Sequence, residues 1–137
     1  MQLKELRGFI PVPIYVAGQA TAATVDEFTG YTLFFKHRVA QAVWIPKAAI
    51  TANATNYFTL TLRNRGTAGA GTVNPATRAY SATNSTALAP ENMTLSSTAT
   101  DLVIASGEHV SVEKLVAGTG LAMPAGTLVV YVQALGI

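Results

Sequence analysis

Short runs of alternating apolar and polar residues recur along the chain. The clearest is Tyr57–Arg65, in which Phe58, Leu60 and Leu62 alternate with threonines and arginines. Successive side chains of a strand point to opposite faces, so this run predicts a half-buried strand. Clusters of Gly, Pro, Asn and Thr separate the runs, and no stretch has the apolar periodicity of a helix. The chain is therefore predicted to be all-β.

About eight strands are predicted in 137 residues, a length typical of one domain. They fit a single antiparallel sandwich of two sheets over residues 1–137, with a jelly roll as the leading form. An immunoglobulin-like sandwich is the alternative, although the chain lacks the cysteines of that fold. Residues 66–90 are rich in Gly, Ala, Thr, Ser and Asn. They are predicted to form a long surface loop with one short strand around Thr77–Ala82.

The N-terminal region carries prolines two residues apart. In Gly8–Val16 the residues Pro11 and Pro13 alternate with aliphatic residues. Proline has no backbone N–H, and residues two apart aim their N–H groups at the same neighbour. One side of this strand therefore lacks donors, which predicts an edge strand or an extended arm. Residues 1–8 are expected to form an arm that a neighbouring subunit or a capsid protein orders.

Arg63 and Arg65 form the best-defined polar pattern. Alternation places both guanidinium groups on the outer face of one predicted strand, and guanidinium groups pair well with carboxylates at interfaces. They are expected to contact a carboxylate-bearing partner, with phosphate binding or simple exposure as alternatives. The candidate partner-contact residues are Lys4, Arg7, Pro11, Pro13, Arg63 and Arg65.

Residues that could perform chemistry are scarce. The chain has no cysteine, and its histidines are His37 and His109. Ser106, His109 and Asp101 could be assembled into a triad on paper, but no nucleophile-elbow glycine pattern surrounds any serine. Metal-ligand spacing is missing as well. The sequence therefore predicts no catalytic residue, cofactor or metal, and no enzyme.

The aromatic residues leave two interpretations open. Trp44 with Tyr15, Tyr31 and Tyr57 could form a platform on which a sugar stacks. Burial in the core or at an interface is the commoner role of such residues.

Composition bears on the partners. Only 12% of the residues are charged and the net charge is +2, which is too small to indicate nucleic acid. A small domain with so few charges must expose many uncharged groups, and such a surface suits burial against partners. The apolar run Phe9–Val16 is too short to span a bilayer, so no membrane contact is expected.

Three runs resemble a known family: Asn56–Gly66, Asp101–Lys114 and Gly120–Tyr131. Together they resemble the jelly-roll head decoration (cement) proteins of tailed bacteriophages, over roughly residues 50–137. The resemblance implies a structural virion protein, made in the host cytoplasm, that binds the capsid exterior. It also implies a homo-oligomer, often a trimer, clamped over junctions between major capsid subunits. The alternative is a carbohydrate- or receptor-binding sandwich from a fibre or tail.

Overall fold

The computed structural model describes residues 8–136. In these residues the chain forms ten strands and a short 3-10 helix, Ala99–Leu102. The strands are β1 (Ile10–Val16), β2 (Asp26–Thr32), β3 (His37–Pro46), β4 (Tyr57–Gly66), β5 (Val73–Ala79), β6 (Glu91–Asn92), β7 (Thr94–Leu95), β8 (Val103–Ile104), β9 (His109–Ala117) and β10 (Gly126–Ala134).

The strands build two antiparallel sheets packed as a sandwich. The first sheet has the order β1-β10-β3-β6, with β8 also paired to β3, and the second has the order β2-β9-β4-β5-β7. The first strand therefore pairs with the last in one sheet, and the second strand pairs with β9 in the other. Leaving out β7 and β8, eight strands remain, in the orders β1-β10-β3-β6 and β2-β9-β4-β5. Consecutive strands of this set change sheet at every step except from β4 to β5, which is a jelly-roll-like arrangement. The predicted fold class is confirmed.

The core lies between the sheets and follows the predicted alternation. On β4, Phe58, Leu60 and Leu62 are fully buried. The facing sheet contributes the inward residues of β10 and β3, because alternate residues of each strand point into the same layer. The other fully buried aliphatic residues on β9, β10 and β3 are Val110, Val112, Leu128, Val130, Val132 and Val39.

β1 lies at the edge of the first sheet, as the prolines predict. It pairs with β10 alone in the described part of the chain, with Pro11 opposite Tyr131 and Pro13 opposite Val129. The two prolines are two residues apart, so the donors that they lack belong to one side of the strand. An edge position tolerates this loss because the other side still pairs with a neighbour.

Residues 66–90 differ from the predicted long loop. They contain β5, a seven-residue strand that pairs with β4 from Thr59 opposite Ala79 to Asn64 opposite Val73. The small polar residues of this stretch favour a loop, but pairing with β4 and burial of Ala76 override that local preference. The loop prediction is therefore too broad, and its strand begins earlier than Thr77.

Candidate functional site

Arg63 and Arg65 lie on the outer face of the second sheet, and both are paired within the chain. Arg63 Nη1 donates a hydrogen bond to Glu113 Oε1 at 2.7 Å. Arg65 binds both carboxylate oxygens of Glu27, with Nε 2.7 Å from Oε2, and its Nη2 lies 3.5 Å from Glu113 Oε2. The carboxylates that the sequence analysis assigned to a partner protein thus belong to β2 and β9. This corrects the expected role of the two arginines.

The register of three strands produces this cluster. β9 lies between β2 and β4, with Glu113 opposite both Glu27 and Thr61. Side chains on the outer face contact each other across neighbouring strands when they lie directly opposite or are offset by two residues. Hydrogen bonds from Arg65, together with a 2.6 Å bond from Ser111 Oγ, lower the pKa of Glu27 to about 2, although partial burial opposes this. The cluster therefore ties three strands of the sheet together.

The outer face of the first sheet has a different character. Its outward side chains form three rows across β1, β10 and β3, and we call this surface the apolar face. The rows are Tyr15–Thr127–Ile45, Pro13–Val129–Val43 and Pro11–Tyr131–Gln41.

The apolar face is open to solvent in the described chain. Tyr15 is 72% exposed, Pro11 and Pro13 are exposed, and Val129 and Tyr131 are half-buried. The inward residues of β10 are fully buried, and the middle of its outer face carries Val129 and Tyr131, so the centre of this strand is apolar on both faces. A strand of that kind normally has a layer on each side. Here the sandwich supplies one layer only.

Cations stand at both ends of the apolar face. Arg38 Nη2 donates to Gln133 Oε1 at 2.7 Å, and Lys47 is exposed just after β3. In residues 8–136 neither side chain forms an ion pair. The sequences of β1, β3 and β10 contain no Asp or Glu. The face is therefore apolar with a positive rim.

Two of the candidate contact residues are thereby placed on the apolar face, namely Pro11 and Pro13. Lys4 and Arg7 lie outside the described residues. So does the predicted arm 1–8, except for Gly8, which is exposed.

Both histidines are held in hydrogen bonds. His37 is fully buried, with Nε2 3.1 Å from the Tyr31 hydroxyl and Nδ1 3.1 Å from the Phe35 carbonyl oxygen. Burial lowers the pKa of His37. His109 Nδ1 lies 2.9 Å from Thr32 Oγ1, while Asp101 accepts a hydrogen bond from Ser96. The triad considered from the sequence is not assembled.

The aromatic platform is not formed either. Trp44 is fully buried and Tyr31 is 8% exposed, so both belong to the core. Tyr15 projects from the apolar face, and Tyr57 is half-buried on β4. Core packing, the commoner interpretation, holds for Trp44 and Tyr31.

A partly buried cluster around Glu91 fixes the segment between β5 and β6. The Glu91 carboxylate accepts hydrogen bonds of 2.6 Å from the hydroxyls of Tyr80 and Ser85, and Arg78 Nε lies 3.3 Å away. Ile50 and Ser85 also exchange backbone hydrogen bonds. Although this segment looks flexible from its composition, it is anchored to the body of the sandwich at both ends.

Lys114 is a buried cation that sequence reasoning missed. Its side chain is fully buried on the inner face of β9, with Nζ 3.2 Å from the Ala22 carbonyl oxygen and 3.4 Å from that of Thr21. Burial lowers its pKa. The sequence pattern does indicate this burial, because Lys114 continues the alternation of the inward residues Val110 and Val112.

No protein-family model, curated protein sequence or solved structure matches this chain. Among the residues that the structure describes, no group of three or more His, Asp or Glu side chains is placed to hold a metal ion. No helix in this part of the chain has the length and hydropathy needed to cross a bilayer. The apolar face is thus the feature on which a function can be proposed.

Proposed function

We propose that this chain is a structural protein without enzymatic activity, and that it binds another protein through the apolar face. The observation that carries the proposal is the central strand β10, whose outer face carries Val129 and Tyr131 beside the exposed Pro11, Pro13 and Tyr15 of β1. A solvated face of an antiparallel sheet is normally polar. Contiguous apolar surface on a small domain is typical of protein contacts.

The rim charges indicate the chemistry of the partner. Arg38 and Lys47 stand at the two ends of the face with no carboxylate on its strands. A complementary surface would be apolar in its centre and would carry carboxylates at its edges. Complementary charges of this kind favour the correct orientation and speed association more than they add affinity.

The proposed setting is the exterior of a tailed-bacteriophage head. Two observations support it: the resemblance of residues 50–137 to head decoration proteins, and the jelly-roll-like fold. The partner would then be the major capsid protein, and the chain would act as a homo-oligomer, such as a trimer, that stabilises junctions between capsid subunits. In this setting the protein is made in the host cytoplasm and ends in the virion.

The test compares two matched variants, one on each sheet. Val129→Asp places a charge on the apolar face, and Leu115→Asp places one on the outer face of the second sheet, where Leu115 is 41% exposed. The assay is co-sedimentation with undecorated heads of the phage that encodes the chain. We expect wild type and Leu115→Asp to sediment equally and Val129→Asp to bind at least about tenfold more weakly, because a carboxylate would be buried without a partner.

Circular dichroism and thermal unfolding serve as controls, since both variants must remain folded for the comparison to hold. Equal sedimentation of the two folded variants would show that the apolar face is not the contact. If the wild-type protein fails to sediment with heads, the capsid setting is wrong. Binding of that protein to a glycan array would then assign the carbohydrate-binding alternative.

A further inference from the structure

One corner of the apolar face is a groove. It is lined by Tyr15 on β1, Thr127 on β10 and Ile45 on β3, together with Lys47 and Leu88, and has a volume of about 300 Å³. This is at the small end of protein binding sites, room for one or two side chains rather than for a large ligand. Tyr15, Thr127 and Ile45 form one row across three hydrogen-bonded strands, so the floor of the groove belongs to the sheet itself.

Leu88, which forms one wall of the groove, has an unusual backbone conformation. Leu88 is 72% exposed and has φ +62°, a left-handed conformation that is rare for a bulky side chain. Its N–H donates to the Pro46 carbonyl oxygen at 2.8 Å, and the Glu91 cluster anchors the segment that carries it. The conformation costs stability and buries nothing of Leu88 in the core. Such outliers persist where a fold over-determines them, and they cluster at binding sites.

We infer that this groove takes an apolar side chain of the partner protein, from an extended segment with a neighbouring carboxylate. The apolar side chain would lie between Tyr15 and Leu88, and the carboxylate would pair with the Lys47 ammonium. The inference rests on the proposed function and adds to it the anchoring point of the contact. An apolar anchor in a small pocket beside a charge pair is the usual arrangement of an interface hot spot.

Charge favours this occupant over a second copy of the same face. Two copies packed face to face would bring the cations Arg38 and Lys47 together without a carboxylate from β1, β3 or β10. Like charges at an interface disfavour association. A partner segment that carries Asp or Glu would instead pair with these cations.

The test uses substitutions at position 88 in the full chain. Asparagine tolerates the left-handed conformation but is polar, so Leu88→Asn should unfold at the same or a higher temperature while binding undecorated heads at least about tenfold more weakly. Leu88→Met keeps an apolar wall and should bind within about threefold of wild type. A purely structural role of Leu88 predicts that binding follows thermal stability, which Leu88→Asn would contradict.

A charge variant tests the second half of the inference. Lys47→Glu should weaken binding about tenfold at low salt, and the difference should shrink at high salt because the pair is solvent-exposed. The control is Lys36→Glu, an exposed lysine before β3 at the opposite end of the sheet and outside the groove, which should weaken binding less than Lys47→Glu. Equal effects of the two lysine variants would show that net charge, not Lys47, governs binding.

The outcomes separate the two proposals. If wild type binds heads and Val129→Asp does not, but Leu88→Asn binds normally, the groove inference is wrong and the proposed function stands. If wild type does not bind heads, both fall. If sedimentation velocity shows self-association that Leu88→Asn abolishes, the occupant is a second copy and the acidic partner segment is refuted.

Discussion

Removing the Arg63 guanidinium should cost this fold more than removing any exposed cation. In the variant Arg63→Ala, Glu113 loses a 2.7 Å charge-assisted hydrogen bond and keeps only the contact with Arg65 at 3.5 Å. The Glu113 side chain is 9% exposed and that of Arg63 is 19% exposed, so water cannot fully replace the lost partner. Charge-assisted hydrogen bonds contribute about 1.5–3 kcal/mol, and exposed ion pairs less than about 1 kcal/mol.

For a pair this poorly exposed we expect the free energy of unfolding to fall by about 2 kcal/mol at pH 7. In a domain of this size that loss lowers the midpoint of thermal unfolding by about 6–10 °C. Urea unfolding is the direct measurement, and the single buried tryptophan, Trp44, supplies the fluorescence signal.

The control is Arg38→Ala on the outer face of the other sheet, where the partner is the uncharged Gln133 and the loss should stay below about 0.5 kcal/mol. A double-mutant cycle with Glu113→Ala should give a coupling energy of at least about 1 kcal/mol. If Arg63→Ala and Arg38→Ala are equally stable, the ion-pair cluster does not stabilise the sheet, and a partner role for Arg63 becomes open again.

Two further predictions concern acid. The pKa of Glu27 is about 2 in the folded chain against 4.5 in the unfolded chain, so its contribution to stability is present above pH 4.5 and is lost as the pH falls toward 2. This loss amounts to about 1 kcal/mol after screening by solvent. The variant Glu27→Gln should remove it from the pH dependence of urea unfolding. Burial lowers the pKa of His37, although the Phe35 carbonyl and the charge of Glu108 oppose this, so the unfolded chain takes up its proton first and stability falls as the pH drops below 6.5. His37→Gln should lose less stability between pH 7.5 and pH 5 than wild type, and an equal loss would contradict the assignment.

The parts of the fold that sequence predicted are those that depend on local periodicity. Alternation placed Phe58, Leu60 and Leu62 in the core because a strand has only two faces. Pro11 and Pro13 placed β1 at an edge because a missing donor is a property of the residue itself. Neither inference needed knowledge of which strand lies beside which.

The partners of Arg63 and Arg65 could not be predicted in the same way. Alternation gave the correct face, but the carboxylates lie 50 residues away for Arg63 and 38 residues away for Arg65. Their meeting depends on β9 lying between β2 and β4 in one register, which composition does not determine. The same limit applies to β5, since its small polar residues form a strand only because β4 offers a pairing edge.

Lys114 shows that alternation can also place a charged side chain in the core, where its burial is unfavourable. Folding removes this ammonium from water and gives it two carbonyl oxygens, with the Phe58 ring 5.7 Å away.

In Lys114→Met the side chain keeps its packing on Phe58 and loses the charge, so the free energy of unfolding should rise by about 1 kcal/mol at pH 7. Because the pKa of Lys114 is lowered from 10.5, the folded chain releases this proton first, and wild-type stability rises with pH through that range. The advantage of Lys114→Met should therefore shrink toward pH 10.5. Lys114→Ala, which also loses the packing, should be less stable than wild type throughout. A constant difference between Lys114→Met and wild type from pH 7 to pH 10.5 would show that desolvation of this lysine does not limit the stability of the fold.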